Sequence, residues 1–409
     1  MKVLISGAGI GGPVLAYWLG KAGISVIVVE RADRLRKEGQ TVDIRDEGVT
    51  IMKWMGIEEE VRKVTTKEAG LKFVDSENQI WAAFPQAGPS GSFTSEFEIV
   101  RGELATILYN ASKEKAEYIF GDSIESMEEQ ETCTRVKLAK GRIIECDAVV
   151  VAEGLNSRTR AMAFKENVRD PIRPLHQIVA NFSYDKGDSD EEWARWYNAT
   201  KHRVLLVRPD GFGRVRAGAI YYNKSDSTSM LASLQTNPEK QKEFFINLYK
   251  GAGWESEKVM EGLCNATDLY VQEVAQAKCK TWSKGRVVLL GDSAYCPSPI
   301  TGMGTTATLV GSFMLASELV KHQDDPKAAF KAYESTLRPW IEGIQFIPPG
   351  FPGLACPETA WGIRVLHLIT YAMSLVVKSG IIPIFEHAAS YVDFGKKLKL
   401  PDPSIFQTR

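Results

Sequence analysis

Four short runs of the chain, residues 3–5, 26–29, 148–151 and 287–290, are apolar at every position. Strands covered by helices on both faces need that pattern, so each run predicts a strand of a parallel sheet. The first leads into Gly7-Ala8-Gly9-Ile10-Gly11-Gly12-Pro13 and a helical pattern over 14–19, starting where a first turn tolerates proline. Residues 40–45 predict a short strand, 49–55 a helix, 98–101 a strand and 103–108 a helix. Residues 71–84 alternate and are rich in β formers before breaking at Pro85, Gly88, Pro89 and Gly91, which predicts a hairpin of a different sheet. Short strands with hairpin turns follow over 118–146. From about 171 to 274 the texture changes: Trp193, Trp196 and Tyr197, then 203–208, a Pro209-Asp210-Gly211 turn, and 214–222. This predicts an antiparallel sheet carrying aromatic and basic side chains, with a polar helix over 238–250. A Pro/Gly loop over 297–304 precedes a helix over 305–319. Residues 363–385 are strongly apolar but interrupted by Arg364, His367, Lys378, Gly380 and Pro383, which predicts two packed helices and no membrane span.

The expected fold class is therefore α/β, a Rossmann-like nucleotide-binding domain with an inserted antiparallel sheet and C-terminal helices. The nucleotide domain is discontinuous (1–70, 96–170 and 275–340), the inserted domain takes 71–95 and 171–274, and 341–409 form a helical tail. A length of 409 residues suits two to three domains. A net charge of −1 provides no overall field to recruit nucleic acid or an anionic membrane. The six cysteines are scattered without C-x-x-C, so neither a disulfide framework nor a metal site is expected, and reduced thiols suit a cytoplasmic protein. The apolar N-terminal run is too short for a signal peptide.

The candidate chemistry begins at Gly7-x-Gly9-x-x-Gly12. Gly7 makes the tight turn, Gly9 admits a pyrophosphate to the backbone, and Gly12 lets helix and strand pack closely. Glu30 ends the second strand and can accept from a ribose hydroxyl, which argues for FAD or NAD. Arg31 opens a basic loop (31–37) whose cations can meet phosphates, and Arg101 lies at a strand–helix junction. Three apolar strands end alike, before Gly7, at Glu153-Gly154 and at Gly291-Asp292. Ligands of doubly wound sheets sit outside the carboxyl ends of strands, so these loops should converge on one cofactor.

These motifs resemble the class A, single-component FAD-dependent monooxygenases typified by p-hydroxybenzoate hydroxylase, most closely the branch of tetracycline-inactivating enzymes. The resemblance rests on the Gly7 unit with Glu30, on Glu153-Gly154-x-x-Ser157-x-x-Arg160, and on Gly291-Asp292-x-Ala294 with Pro299, Gly302 and Gly304. The segment Glu98-Ile99-Val100-Arg101 matches one whose arginine contacts FAD. The resemblance implies non-covalent FAD, NADPH or NADH as reductant, and insertion of one oxygen atom from O2 by way of a C4a-hydroperoxyflavin. The substrate it implies is a hydrophobic, aromatic or secondary-metabolite-like small molecule, and the reaction hydroxylation, epoxidation or Baeyer–Villiger insertion. Asp292 would accept from ribitol hydroxyls, while Gly302, Gly304 and Thr305 would bring backbone donors and a helix dipole to the flavin. The candidate catalytic set is Tyr222, Arg203, Arg45 and Pro299. By strand alternation Arg216, Gly218, Ile220 and Tyr222 share a face, as do Arg203, Leu205 and Val207, and both faces are expected to look toward the flavin. The chain departs from the family pattern at Glu153 (aspartate elsewhere), Tyr295 (commonly histidine), and Thr306 and Gly311 (often asparagine and an acid). Rival readings are an NAD-dependent dehydrogenase, a flavin dehydrogenase or oxidase, a flavin halogenase, and a flavin-bearing protein that only sequesters a ligand. A monomer or weak dimer is expected.

Overall fold

The computed structural model describes residues 1–36, 39–86, 95–187, 190–225, 237–379 and 398–407. The expected break at Gly88–Gly91, the end of the basic loop at Lys37, and the second of the two late helices lie outside them.

The four all-apolar runs assemble side by side. A six-stranded sheet runs in the order Ser283–Lys284, Val287–Leu289, Ala148–Val151, Lys2–Ser6, Ser25–Glu30, Glu117–Phe120. All its pairings are parallel except that of the two-residue edge strand. Val3, Leu4 and Ile5 are fully buried between Val26–Val28 and Ala148–Val150, which is why no polar residue interrupts them. Helix Gly11–Lys21 packs against helix Gly304–Lys321, and Trp18, Phe313 and Phe406 close that layer through ring contacts of 4.8 to 5.4 Å. Helix Pro326–Ile344 runs straight through residue 340, where the helical tail was expected to begin.

The seven-stranded sheet is ordered Tyr270–Ala277, Ile172–Asp185, Arg214–Tyr222, Arg203–Pro209, Ala194–Ala199, Gly70–Val74, Ile80–Pro85. It is not wholly antiparallel. Ala194–Ala199 and Gly70–Val74 pair in parallel, because they come from distant parts of the chain with no hairpin between them. Helices Pro238–Tyr249 and Ser256–Asn265 cover one face, burying Ile178, Ala180, Leu205, Val207, Ala217 and Ala219. The opposite face carries Val179, Val204, Ile220 and Val274, with Trp196, Tyr222 and Ile300 packed against them. Ile300 belongs to the loop before helix Gly304–Lys321, so this second face meets the strand-end loops of the parallel sheet. A two-stranded ribbon, Thr41–Ile44 with Phe97–Val100, lies at the junction.

Helix Ala360–Lys378 lies along strand Ile80–Pro85. Its inward stripe is polar (His367, Thr370, Ser374), and the His367 ring stacks on Trp81 at 5.2 Å. By length and composition alone it is the one helix among the described residues that could cross a membrane.

Candidate active site

The three strand-end loops meet as expected. Gly7 has φ +113°, and a Cβ there would lie 2.5 Å from the Ala152 carbonyl oxygen of the neighbouring strand end. A Cβ on Gly12 would lie 2.0 Å from the Gly7 carbonyl oxygen, so this turn admits only glycine at both points. A Cβ on Gly9 would come within 3.4 Å of Arg101 Nη2, which sets that guanidinium over the Gly9 backbone where a phosphate would approach. Glu30 is pinned on both oxygens: the Ala8 N–H donates to Oε2 and the Ala32 N–H to Oε1, each at 2.9 Å. Its remaining lone pairs can still accept from a hydroxyl. Arg31 follows it, exposed, at the strand end.

Helices Gly11–Lys21 and Gly304–Lys321 both begin with no side-chain cap and no acid in the first turn. Their first backbone N–H groups lack intrahelical acceptors, so two helix N-termini offer donors and positive dipole ends. Thr305 is the second residue of the later helix and is nearly buried. A Cβ at Gly304 would meet nothing within 4 Å, leaving room beside the helix start. The loop before it is strained, because Ser298, not a glycine, holds φ +84°. Ser298 Oγ accepts from the Ile300 N–H at 3.3 Å, and Pro299 opens the turn Pro299–Thr301 with its ring exposed.

Asp292 follows Gly291, whose φ is +63°. Burial pushes its carboxyl above the usual range, while the Cys296 thiol that hydrogen-bonds it and the Arg101 guanidinium pull it back. Glu153, the acid of the middle loop, behaves differently. It accepts from Ser6 Oγ at 2.5 Å, Ser157 Oγ at 2.7 Å, the Thr159 N–H at 3.1 Å and the Thr159 hydroxyl. All its acceptor sites are spent inside the protein. Arg160, fully buried, donates to the carbonyls of Leu155, Val168 and Ser293, and the Ser293 hydroxyl bridges the Gly154 backbone. The middle motif thus braces the late one.

On the substrate-side sheet the register separates two residues expected together. Arg203 pairs with Tyr221, and Val204 with Ile220, so Arg203 points to the opposite face from Tyr222. Its guanidinium donates to the carbonyls of Thr200 and Leu248, each at 2.8 Å, the latter near the end of helix Pro238–Tyr249. The expectation that Arg203 faces the flavin is therefore corrected: it fastens a helix C-terminus. The arginines that share Tyr222's face are Arg208 and Arg216, which pair across the two strands. Tyr222 lies half-buried between His202 and His176 (centroids 5.4 and 6.4 Å away), its hydroxyl against Gly353.

A charged cluster at the junction was not visible in the sequence. Arg208 Nη1 meets Glu98 Oε1 at 2.5 Å, its Nε meets Glu68 Oε2 at 3.1 Å, and its Nη1 donates to Thr41 Oγ1 at 3.0 Å. Arg45 joins the edge of this cluster through Asp43 at 3.1 Å, and the pair borders Gly302, whose Cβ would lie 3.2 Å from Asp43 Oδ2. The Arg45 backbone N–H donates to Thr306 Oγ1 at 2.9 Å, which gives that departure a use. Burial pushes Glu68 up to about 8 against the pull of Arg208, helped by the Glu98 and Asp43 carboxylates. Glu98 is shifted the same way by the same burial. Its members are up to 167 positions apart, so only contact reveals them.

Tyr295 and Gly311 form one solution. The Tyr295 hydroxyl meets that of Tyr333 at 2.8 Å, and a Cβ on Gly311 would lie 2.0 Å from the Tyr295 oxygen.

The residues 1–344 match the family model of the FAD binding domain. The chain is 30% identical over 402 residues to the FAD-dependent monooxygenase asL4 of Sarocladium schorii, covering 92% of this chain and 93% of that protein. The chain belongs to the FAD-dependent monooxygenases. This monooxygenase is also 34% identical over 398 residues to the flavin-dependent monooxygenase eupH of a Phoma species, covering 90% and 91% of the two chains. Among solved structures it is similar to the tetracycline destructase Tet(51), at 27% identity and TM-score 0.75, with 98% of each chain covered. FAD fits the geometry: Arg101 lies over Gly9 and its charge reaches Asp292, Glu30 is bonded to the Ala8 N–H of the same glycine turn, and two helix starts there are uncapped. Two clefts of about 290 Å³ lie elsewhere, one around Tyr184, Arg214 and Lys258 and one around Cys279, Trp282 and Arg338. Neither is lined by Gly9, Asp292 or Tyr222.

Proposed function

We propose that this monooxygenase binds FAD non-covalently, takes electrons from NADPH or NADH, and inserts one atom of O2 into a hydrophobic, fused-ring aromatic or polyketide-like small molecule. The supporting observation is the apolar sheet face, Val179, Val204, Ile220 and Val274, that closes over Ile300 of the loop opening helix Gly304–Lys321. Similarity to a tetracycline destructase favours a fused-ring substrate. Bound FAD supplies the reduction and oxygen activation; the chain supplies placement and a dry wall. Gly9, Gly12 and Arg101 would hold the pyrophosphate, Glu30 with Arg31 nearby would hold the adenosine end, and Asp292 would hold the ribitol. Gly304 and Thr305 would give N–H donors to the ring system; the expected Gly302 donor is corrected, since its N–H donates to the Pro299 carbonyl at 3.1 Å and closes the turn that Pro299, lacking an N–H, opens. Arg45 stands beside Gly302 and would bring a cation to that end of the site. Tyr222, on the substrate face, hydrogen-bonds an oxygenated group of the substrate and aligns it. We place the protein in the cytoplasm, as a monomer or weak dimer.

A compound screen tests this reading. Candidate fused-ring phenols are added to the FAD-loaded protein, NADPH and NADH oxidation is followed, and product mass is measured. A compound that speeds oxidation and gains one oxygen atom supports it. Products that only lose two hydrogens would make the protein a dehydrogenase or oxidase. Acid precipitation should release the yellow cofactor into solution; colour retained in the pellet would show a covalent tether, with Cys296 the first suspect.

A further inference from the structure

Helix Ala360–Lys378 is amphipathic the wrong way round for a helix on a water-facing surface. The stripe turned to the protein is His367, Thr370 and Ser374, all nearly or fully buried. The outer face carries Trp361 (75% exposed), Leu368 (58%), Ile369 (53%) and Leu375 (48%). Ten of the fifteen exposed large apolar side chains among the described residues fall between 346 and 376, so the apolar surface is concentrated in this one region. Scattered apolar side chains need no explanation, but a contiguous patch on a helix does.

Charge says what covers it. The helix contains no aspartate or glutamate, and its two full cations, Arg364 and Lys378, are both exposed. At 3.6 residues per turn, Leu375, Leu368, Trp361, Val376 and Ile369 form a continuous arc. Arg364 and Lys378 lie on the same edge of that arc, about 21 Å apart along the helix axis, with Tyr371 between them. Apolar arc, aromatic side chains and a cationic margin are the composition of a helix lying in the headgroup region of a bilayer. A second copy of the chain would bring the same cations to the contact, and the helix has no acid to meet them.

We propose that the outer face of helix Ala360–Lys378 docks on an anionic lipid surface, with the helix lying in the plane of the membrane and not crossing it. Crossing would tear the polar stripe from strand Ile80–Pro85 and break the His367–Trp81 stack. With an overall charge of −1, the electrostatic part of the attraction comes from this local cationic margin, so it is short-ranged and salt-sensitive. A hydrophobic substrate dissolved in lipid would then be close to the apolar sheet, which shares contacts with the same helix.

The full-length, FAD-loaded protein is sedimented with phosphatidylcholine vesicles, with and without phosphatidylglycerol. It should co-sediment with the anionic vesicles, and added salt should release it. Arg364→Gln removes an exposed charge and no buried contact; it should weaken binding about fivefold. Leu368→Glu should weaken it by at least about tenfold with FAD content unchanged. Failure to bind anionic vesicles, equal binding to both vesicle types, or binding indifferent to both substitutions would overturn the proposal. So would a dimer, seen by sedimentation velocity without lipid and dissociated by Leu368→Glu, in a protein that ignores vesicles.

Discussion

Glu153 and Asp292 end neighbouring strands of the same parallel sheet, yet the protein uses them in opposite ways. Glu153 is surrounded by donors from its own chain, two from Thr159, one from Ser157 and one from Ser6. Asp292 has the Cys296 thiol for company and sits at a lifted proton affinity in a partly open position. An acid whose acceptors are filled internally holds a loop in shape. An acid left short of donors is held ready for hydroxyls brought from outside. The same division runs through the seven-stranded sheet, where Arg203 is consumed by carbonyls on the helix-backed face and Tyr222 stands on the opposite one.

The largest test of this contrast is Glu153→Ala. It strands several donors at once and should cost about 3 kcal/mol or more of stability in urea unfolding of the FAD-free protein. A variant as stable as the parent would mean that Glu153 is not structural. Asp292→Ala should do the reverse, leaving FAD-free stability near the parent while weakening FAD binding by about 1–3 kcal/mol, roughly 5- to 150-fold. Glu30→Ala should weaken it less, because Glu30 is already pinned by two backbone N–H groups and sits nearer solvent; equal dissociation constants would contradict the ordering. On the second sheet, Arg203→Met should lower stability by about 1–2 kcal/mol with coupling of NAD(P)H oxidation to product unchanged. Tyr222→Phe should leave stability alone while product yield per NAD(P)H falls. Exchange of those two phenotypes would put Arg203 back in the site.

A pH-dependent effect concerns Glu68. Its carboxyl is raised from the ordinary 4.5 to about 8, so the folded protein holds a proton there that the unfolded chain has lost. The stabilisation is complete at acidic pH and fades as pH rises from about 4.5 to about 8, beyond which Glu68 adds no further pH dependence. Glu68→Gln, which imitates the protonated acid, should remove that decline, by more than about 1 kcal/mol across the window. Unfolding curves of parent and variant that run parallel from pH 5 to 8 would show that Glu68 is ionised throughout.

The parallel half of the molecule was readable because its functional positions are ends. A strand apolar at every position stops where the first glycine or acid appears, and Gly7, Glu30, Glu153 and Asp292 are found there without knowing any register. The sequence could not say which of the acids was filled, since Ser6 lies 147 positions from Glu153. The antiparallel half is less legible for a different reason. Alternation groups Arg203 with Leu205 and Val207 correctly, but only pairing with the next strand says which group looks at the cofactor. A one-residue difference in register chose Arg208 over Arg203. The Glu68–Arg208–Glu98 cluster left no local signature, since each member sits in an ordinary strand or turn.

The contact between Gly311 and Tyr295 constrains any redesign of this chain. A methyl group at 311 would stand 2.0 Å from the Tyr295 oxygen, and that oxygen is committed to Tyr333. A larger residue at 311 therefore forces Tyr295 to move off Tyr333 or to give way, so in this chain the two positions are coupled through one buried hydroxyl. A substitution at 311 has to be designed together with one at 295.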